Sequence, residues 1–106
     1  MKTLSIQELH EAFKNLKKDE LILDVRTPGE FAEGRVPGAK NIPVDVVMKH
    51  HAELKDFKTV YIYCRAGRRA EMAVQMLNLQ GLTNLACVDE GGFPDWEESG
   101  FEVSHD

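Results

Sequence analysis

The run Thr59-Val60-Tyr61-Ile62-Tyr63 constrains the fold more than any other stretch of the chain. β-Branched and aromatic residues in succession fit a pleated, buried strand. Cys64 follows at once, then a loop containing Gly67, then Arg69-Ala70-Glu71-Met72-Ala73-Val74-Gln75-Met76-Leu77. That last stretch has helical spacing, with Ala70, Ala73 and Leu77 on one face and Gly81 as its stop. A buried strand that feeds a helix through a short loop is the repeating unit of parallel sheets.

The rest of the chain continues the alternation. Ser5 and Glu8 stand at capping-box spacing ahead of Leu9, Ala12, Phe13 and Leu16, which predicts a helix from about Ile6 to about Leu16. Leu21-Ile22-Leu23, ending in Asp24, is too short for a helix and reads as a buried strand. Thr27 and Glu30 repeat the capping pattern, with Pro28 at the first helical position, for a short helix ending near Gly34. Lys40-Asn41-Ile42 reads as a brief edge strand, and Asp45 as the cap of a helix running to about His51. Leu85-Ala86-Cys87-Val88 is another strand, broken by Gly91-Gly92 ahead of a short helix around Asp95-Trp96-Glu97. The expectation is one α/β domain over residues 1–106, with a mainly parallel central sheet flanked by helices on both faces.

Composition narrows the function. The 106 residues, 42% hydrophobic and 29% charged, are the ordinary mix of one globular domain. A net charge of −5 argues against a nucleic-acid partner, which would call for a basic stripe. The one basic island is Arg65, Arg68 and Arg69, a size suited to a small anion. No apolar run approaches the ~18 residues of a membrane span, so no membrane partner is expected. The opening residues have no apolar signal-peptide core, and two cysteines are too few for a disulfide framework. A reduced, cytoplasmic setting is the expectation.

Ligands of open α/β sheets bind beyond the carboxyl ends of the strands, where Cys64 sits. Amides of a tight loop opening into a helix form an anion-binding nest, and the helix N-terminus adds partial positive charge. Such surroundings lower a thiol from ~8.5 to roughly 3.5–7.5 and favour the thiolate. The competing reading makes Cys64 a small buried hydrophobe at a strand end.

The segment Cys64-Arg65-Ala66-Gly67-Arg68-Arg69-Ala70 resembles the active-site loop of the rhodanese family. Asp24-Val25-Arg26 with Glu30-Phe31 and Gly34, Pro37-Gly38-Ala39 with Asn41-Ile42-Pro43, and Gly91-Gly92 with Trp96 and Gly100 resemble its other markers in order and spacing. Two positions depart from the pattern: Arg35 stands where histidine is frequent, and Asp89 where an apolar residue commonly precedes the glycine pair. Neither is expected to touch the catalytic loop. The resemblance implies a sulfurtransferase with Cys64 as nucleophile and Arg65, Ala66, Gly67, Arg68 and Arg69 as the substrate-binding loop. Cys64 would take the outer sulfur of thiosulfate or a similar anionic donor as a persulfide, cradled by the amides of Arg65 to Arg69. A thiol or cyanide would then remove it, in a ping-pong cycle without cofactor. A protein could also serve as sulfur acceptor.

Related phosphatases need a loop one residue longer than the four residues between Cys64 and Arg69. A noncatalytic binding module is the other alternative, and the retained cysteine argues against it. No metal site is expected: His50 and His51 diverge on a helix, His10 and His105 lie near the termini, and surface positions suit all four. Asp24 and Arg26 read as a structural pair, Phe93 and Trp96 as core, and Glu8, Glu11 and Lys14 to Lys18 as a solvated face. Cys87 reads as a strand residue chosen for size, against a rival role as resolving thiol for Cys64.

Overall fold

The apolar runs become a five-stranded sheet in the computed structural model, which describes residues 2–105. Strands β1 (Lys2–Leu4), β2 (Glu20–Asp24), β3 (Lys40–Asn41), β4 (Thr59–Tyr63) and β5 (Leu85–Val88) lie in the order β1-β5-β4-β2-β3. Among the described residues every pairing between these strands is parallel. β4 is central, with Asp24 opposite Tyr63 on one side and Cys87 opposite Ile62 on the other. The connections carry α1 (Ile6–Lys14), α2 (Pro28–Glu33), α3 (His51–Lys55), α4 (Arg68–Leu79) and α5 (Phe93–Glu98).

Side-chain alternation along the strands builds two cores. Val60, Ile62 and Cys64 meet Leu54 of α3 and Ala70, Ala73, Val74 and Leu77 of α4. On the opposite face, Ile22, Tyr63, Ala86 and Val88 meet Ile6 and Leu9 of α1 and Phe93 and Trp96 of α5. Helices cover both faces, which is why the central strands are apolar without alternation.

Three expectations are corrected. β1 was not anticipated: Lys2 and Thr3 are exposed, and the strand exists because backbone pairing completes the open edge of β5. α1 stops at Lys14, because the Asn15 backbone N–H and Nδ2 both donate to the Glu11 carbonyl and end the helix. Leu16 is left outside it, 38% exposed. Asp45 caps nothing. Val46 N–H donates to the Pro43 carbonyl, and the chain enters a 3₁₀ turn at Val47–His50 before α3, which extends to Lys55 and buries Leu54. The remaining boundaries shift by a residue or two.

A buried polar network closes the carboxyl edge of the sheet. Asp24 is fully buried and Arg26 is 4% exposed. Arg26 Nε lies 3.0 Å from both Asp24 oxygens, and Nη2 donates to Asp24 Oδ2 and to the Gly34 carbonyl, each at 2.7 Å. Asn41 Nδ2 donates to the carbonyls of Asp24 and Arg26, fastening β3 to β2. The Arg26 guanidinium lies 4.4 Å over the Phe93 ring, and the Tyr63 hydroxyl accepts the Val36 N–H at 3.2 Å. Burial, then the nearby Asp24 carboxylate, hold the Tyr63 hydroxyl protonated well above its ordinary range. Asp24 and Arg26 are therefore a structural pair.

Removing one member of a buried ion pair strands the other charge, at about 3–5 kcal/mol. Asp24→Ala is expected to lose stability of that order in urea denaturation. A loss under about 1 kcal/mol would show that the pair does not hold this edge together.

Candidate active site

Cys64 leaves β4 at the carboxyl end of the sheet and is only 1% exposed. Its Sγ accepts the Gly67 N–H at 3.1 Å and the Ala70 N–H at 3.3 Å. Ala70 is the third residue of α4, so its N–H has no acceptor inside the helix and is free to serve the sulfur. The positive end of the α4 dipole thus faces Sγ through two real donors.

Gly67 makes this geometry possible. It caps α4 with φ 96°, and a Cβ there would fall 2.2 Å from the Asp89 carbonyl oxygen. Only glycine fits both the conformation and the space. Gly92 presses on the loop from the other side: its Cβ would lie 2.1 Å from the Cys64 carbonyl oxygen and 2.4 Å from that of Arg65. Phe93 N–H donates to the Cys64 carbonyl at 2.9 Å, and Asp95 Oδ2 accepts the Gly92 N–H at 2.9 Å. The segment after β5 therefore clamps the loop after β4.

These contacts revise several expectations. Asp89 does touch the loop, through its backbone against Gly67, whereas a local reading of the sequence placed it apart. The Cys64 sulfur itself takes its two N–H contacts from Gly67 and Ala70. The arginines do not act as one cluster. Arg69 is bound by Glu30, Nη1 to Oε1 at 2.6 Å and Nη2 to Oε2 at 3.0 Å. Arg65, Ala66 and Arg68 are exposed. Arg35 donates to the Phe31 carbonyl and lies over the Phe31 ring.

Ala70, which ends the loop motif, and Glu30 and Gly92, which belong to two other markers, complete the site without a role in it read from the sequence. Ala70 was detectable as a first-turn amide, and Gly92 as half of a glycine pair. The Glu30–Arg69 contact spans 39 residues and left no local signal. Arg69, through its hydrogen bonds, and the Thr27 N–H hold the Glu30 carboxyl down at about 2, against the desolvation of its setting.

Cys87 lies on the same face of the sheet as Cys64, and both are free, buried thiols. Burial first, then Asp89 and Glu71, push the Cys87 thiol up to about 12, so it stays protonated. Among the described residues no group of three His, Cys, Asp or Glu is placed to hold a metal ion. The histidines are not uniformly surface groups: His10 stacks on Phe101 with ring centroids 3.7 Å apart and meets Trp96 edge-on. No helix of the described residues is long and apolar enough to cross a membrane.

Residues 5–99 match the model of the rhodanese-like domain. The chain belongs to the rhodanese-like family. It is 40% identical over 96 residues to a putative sulfur carrier protein, YrkF, of Bacillus subtilis, covering 87% of this chain but 51% of that protein. It thus spans about half the length of that relative. It is 36% identical over 75 residues to the thiosulfate sulfurtransferase PspE of Escherichia coli, covering 69% of this chain and 70% of that one. A crystal structure of a rhodanese-related protein from Thermoplasma volcanium superposes with a TM-score of 0.84 at 30% identity, covering 100% of both chains. This rhodanese-like domain is thus akin to sulfurtransferases and sulfur carriers.

The Glu30–Arg69 clasp has a pH signature. A carboxyl held at about 2 when folded, against 4.5 ordinarily, adds stability that is complete above about 4.5 and lost as pH falls through about 2. Glu30→Gln is expected to cost on the order of 1–2 kcal/mol at neutral pH, partial exposure discounted, and less toward pH ~3. Urea titrations of both proteins at the two pH values measure this. A gap of equal size at both would contradict an ionic clasp.

Proposed function

We propose that this chain is a thiosulfate sulfurtransferase of the rhodanese type, with Cys64 as the nucleophile. The observation that carries the reading is Sγ seated against the Gly67 and Ala70 amides at the start of α4. Two N–H donors and a helix N-terminus stabilise negative charge on sulfur, which both the thiolate and the persulfide need.

The cycle follows from that charge. The Cys64 thiolate attacks the outer sulfur of thiosulfate, a new S–S bond forms, and the old one breaks as sulfite leaves with the electron pair. A thiolate or cyanide then attacks the same outer sulfur, and Cys64 departs as thiolate. The exposed Arg65 and Arg68 offer charge to the anionic donor. Arg69, bound at both nitrogens by Glu30, serves instead to fix the loop against α2. Its engagement also argues against phosphatase chemistry, which needs a free arginine closing on a tetrahedral oxyanion. Two unpaired thiols suit a reducing, cytoplasmic setting.

Serine lacks the soft sulfur needed to form a persulfide, so Cys64→Ser is expected to lower thiosulfate-to-cyanide transfer at least about 10³-fold. Cys87→Ala, which removes a protonated thiol, is expected to retain turnover within about threefold. Sulfite and thiocyanate release measure both. Substantial activity in the serine variant, or loss confined to Cys87→Ala, would overturn the assignment.

A further inference from the structure

Beside the loop lies a cleft of about 220 Å³, with Arg26, Glu30, Glu33, Arg65, Phe93 and Glu97 among its walls. That volume is below the ~300 Å³ at which drug-sized pockets begin and suits a small metabolite. Two of its charges are already engaged. Glu30 is bound to Arg69, and Arg26 holds Asp24 through Nε and Nη2. What remains is unusual for a site that handles a dianionic donor. Glu33 and Glu97 are exposed on the rim, Arg65 stands with them, and none has an ion-pair partner among the described residues.

The floor supplies an independent observation. Arg26 is 4% exposed, yet all its side-chain hydrogen bonds leave from Nε and Nη2. Nη1 has no acceptor among the described residues and is not one of their buried unpartnered atoms, so it is the edge of this otherwise buried guanidinium left open to solvent. A buried side chain that lines a cleft with an unfilled N–H edge is a place for an anionic oxygen. The cleft thus offers guanidinium donors from Arg26 and Arg65 and carboxylates from Glu33 and Glu97. Those are the complements of a carboxylate and an ammonium group on one small molecule.

We propose that this cleft is the acceptor subsite, and that it selects thiols of amino-acid type, bearing both a carboxylate and an ammonium group. The inference rests on Cys64 carrying the sulfur. In the step concerned, the acceptor thiolate attacks the outer sulfur of the Cys64 persulfide. The bond between that sulfur and Sγ breaks, Sγ leaves as thiolate, and the acceptor departs as a persulfide. Neither oxidant nor cofactor is consumed.

The test loads the protein with thiosulfate, removes excess donor, and follows single-turnover sulfur loss to four thiols at equal thiolate concentration. L-Cysteine carries both groups, 3-mercaptopropionate the carboxylate, cysteamine the ammonium, and 2-mercaptoethanol neither. L-Cysteine is expected to react roughly tenfold faster than either singly charged thiol, the scale of two partly exposed ion pairs. In Glu33→Gln/Glu97→Gln, the ratio of L-cysteine to 3-mercaptopropionate should fall to near one. A ratio near one in the unaltered protein, or one that persists in the double variant, overturns the subsite. Should no thiol or cyanide take sulfur, the failure lies with the Cys64 persulfide itself, a distinguishable result.

Discussion

The ion pair between Asp24 and Arg26, buried at the carboxyl edge of the sheet, is the contact on which the rest of the architecture depends. Charges so deeply buried persist only when paired and hydrogen-bonded. Here the engagement recruits neighbours from distant parts of the chain. Gly34 supplies a carbonyl from beyond α2, Asn41 brings in β3, and Phe93 lays its ring under the guanidinium from α5. One polar residue pair in an apolar layer thereby sets where three connections sit relative to β2 and β4.

Within that frame the cysteine loop is positioned by backbone rather than by side chains. Gly67 admits the Asp89 carbonyl, and Gly92 admits those of Cys64 and Arg65, at separations no Cβ could share. Packing this close leaves the loop one shape, which is what an anion-stabilising nest requires. Amide donors fixed in advance need no rearrangement when charge develops on sulfur. The side chains around the loop then divide the remaining tasks: Arg69 is tied to Glu30, while Arg65 and Arg68 are exposed.

The central strand, the helix after it and the cysteine between them were legible in the sequence because their signals are local. Apolar runs, caps and glycine stops act over a few residues. The α/β class with helices on both faces followed from the same signals, and the family's motifs pointed to sulfur transfer. What stayed hidden was set by partners far away in sequence. Lys2 and Thr3 carry no strand pattern and pair only because β5 offers an edge. Asp45 has the chemistry of a cap, but the turn it precedes is governed by the Pro43 carbonyl. Glu30 looks like half of a capping box, and it is one; that it also holds Arg69 appears only when α2 meets α4 in space. Asp89, judged by its side chain, seemed remote from the loop, while its carbonyl is what demands glycine at Gly67.

Everything in the functional reading converges on a single bond, that between Cys64 Sγ and a transferred sulfur. Incubation with thiosulfate, followed by intact-mass and peptide-mapping analysis under non-reducing conditions, examines it directly. The expected result is the added mass of one sulfur atom, confined to the peptide containing Cys64 and lost on treatment with cyanide. An unmodified protein after exposure to excess thiosulfate, or sulfur found on Cys87 instead, would contradict it.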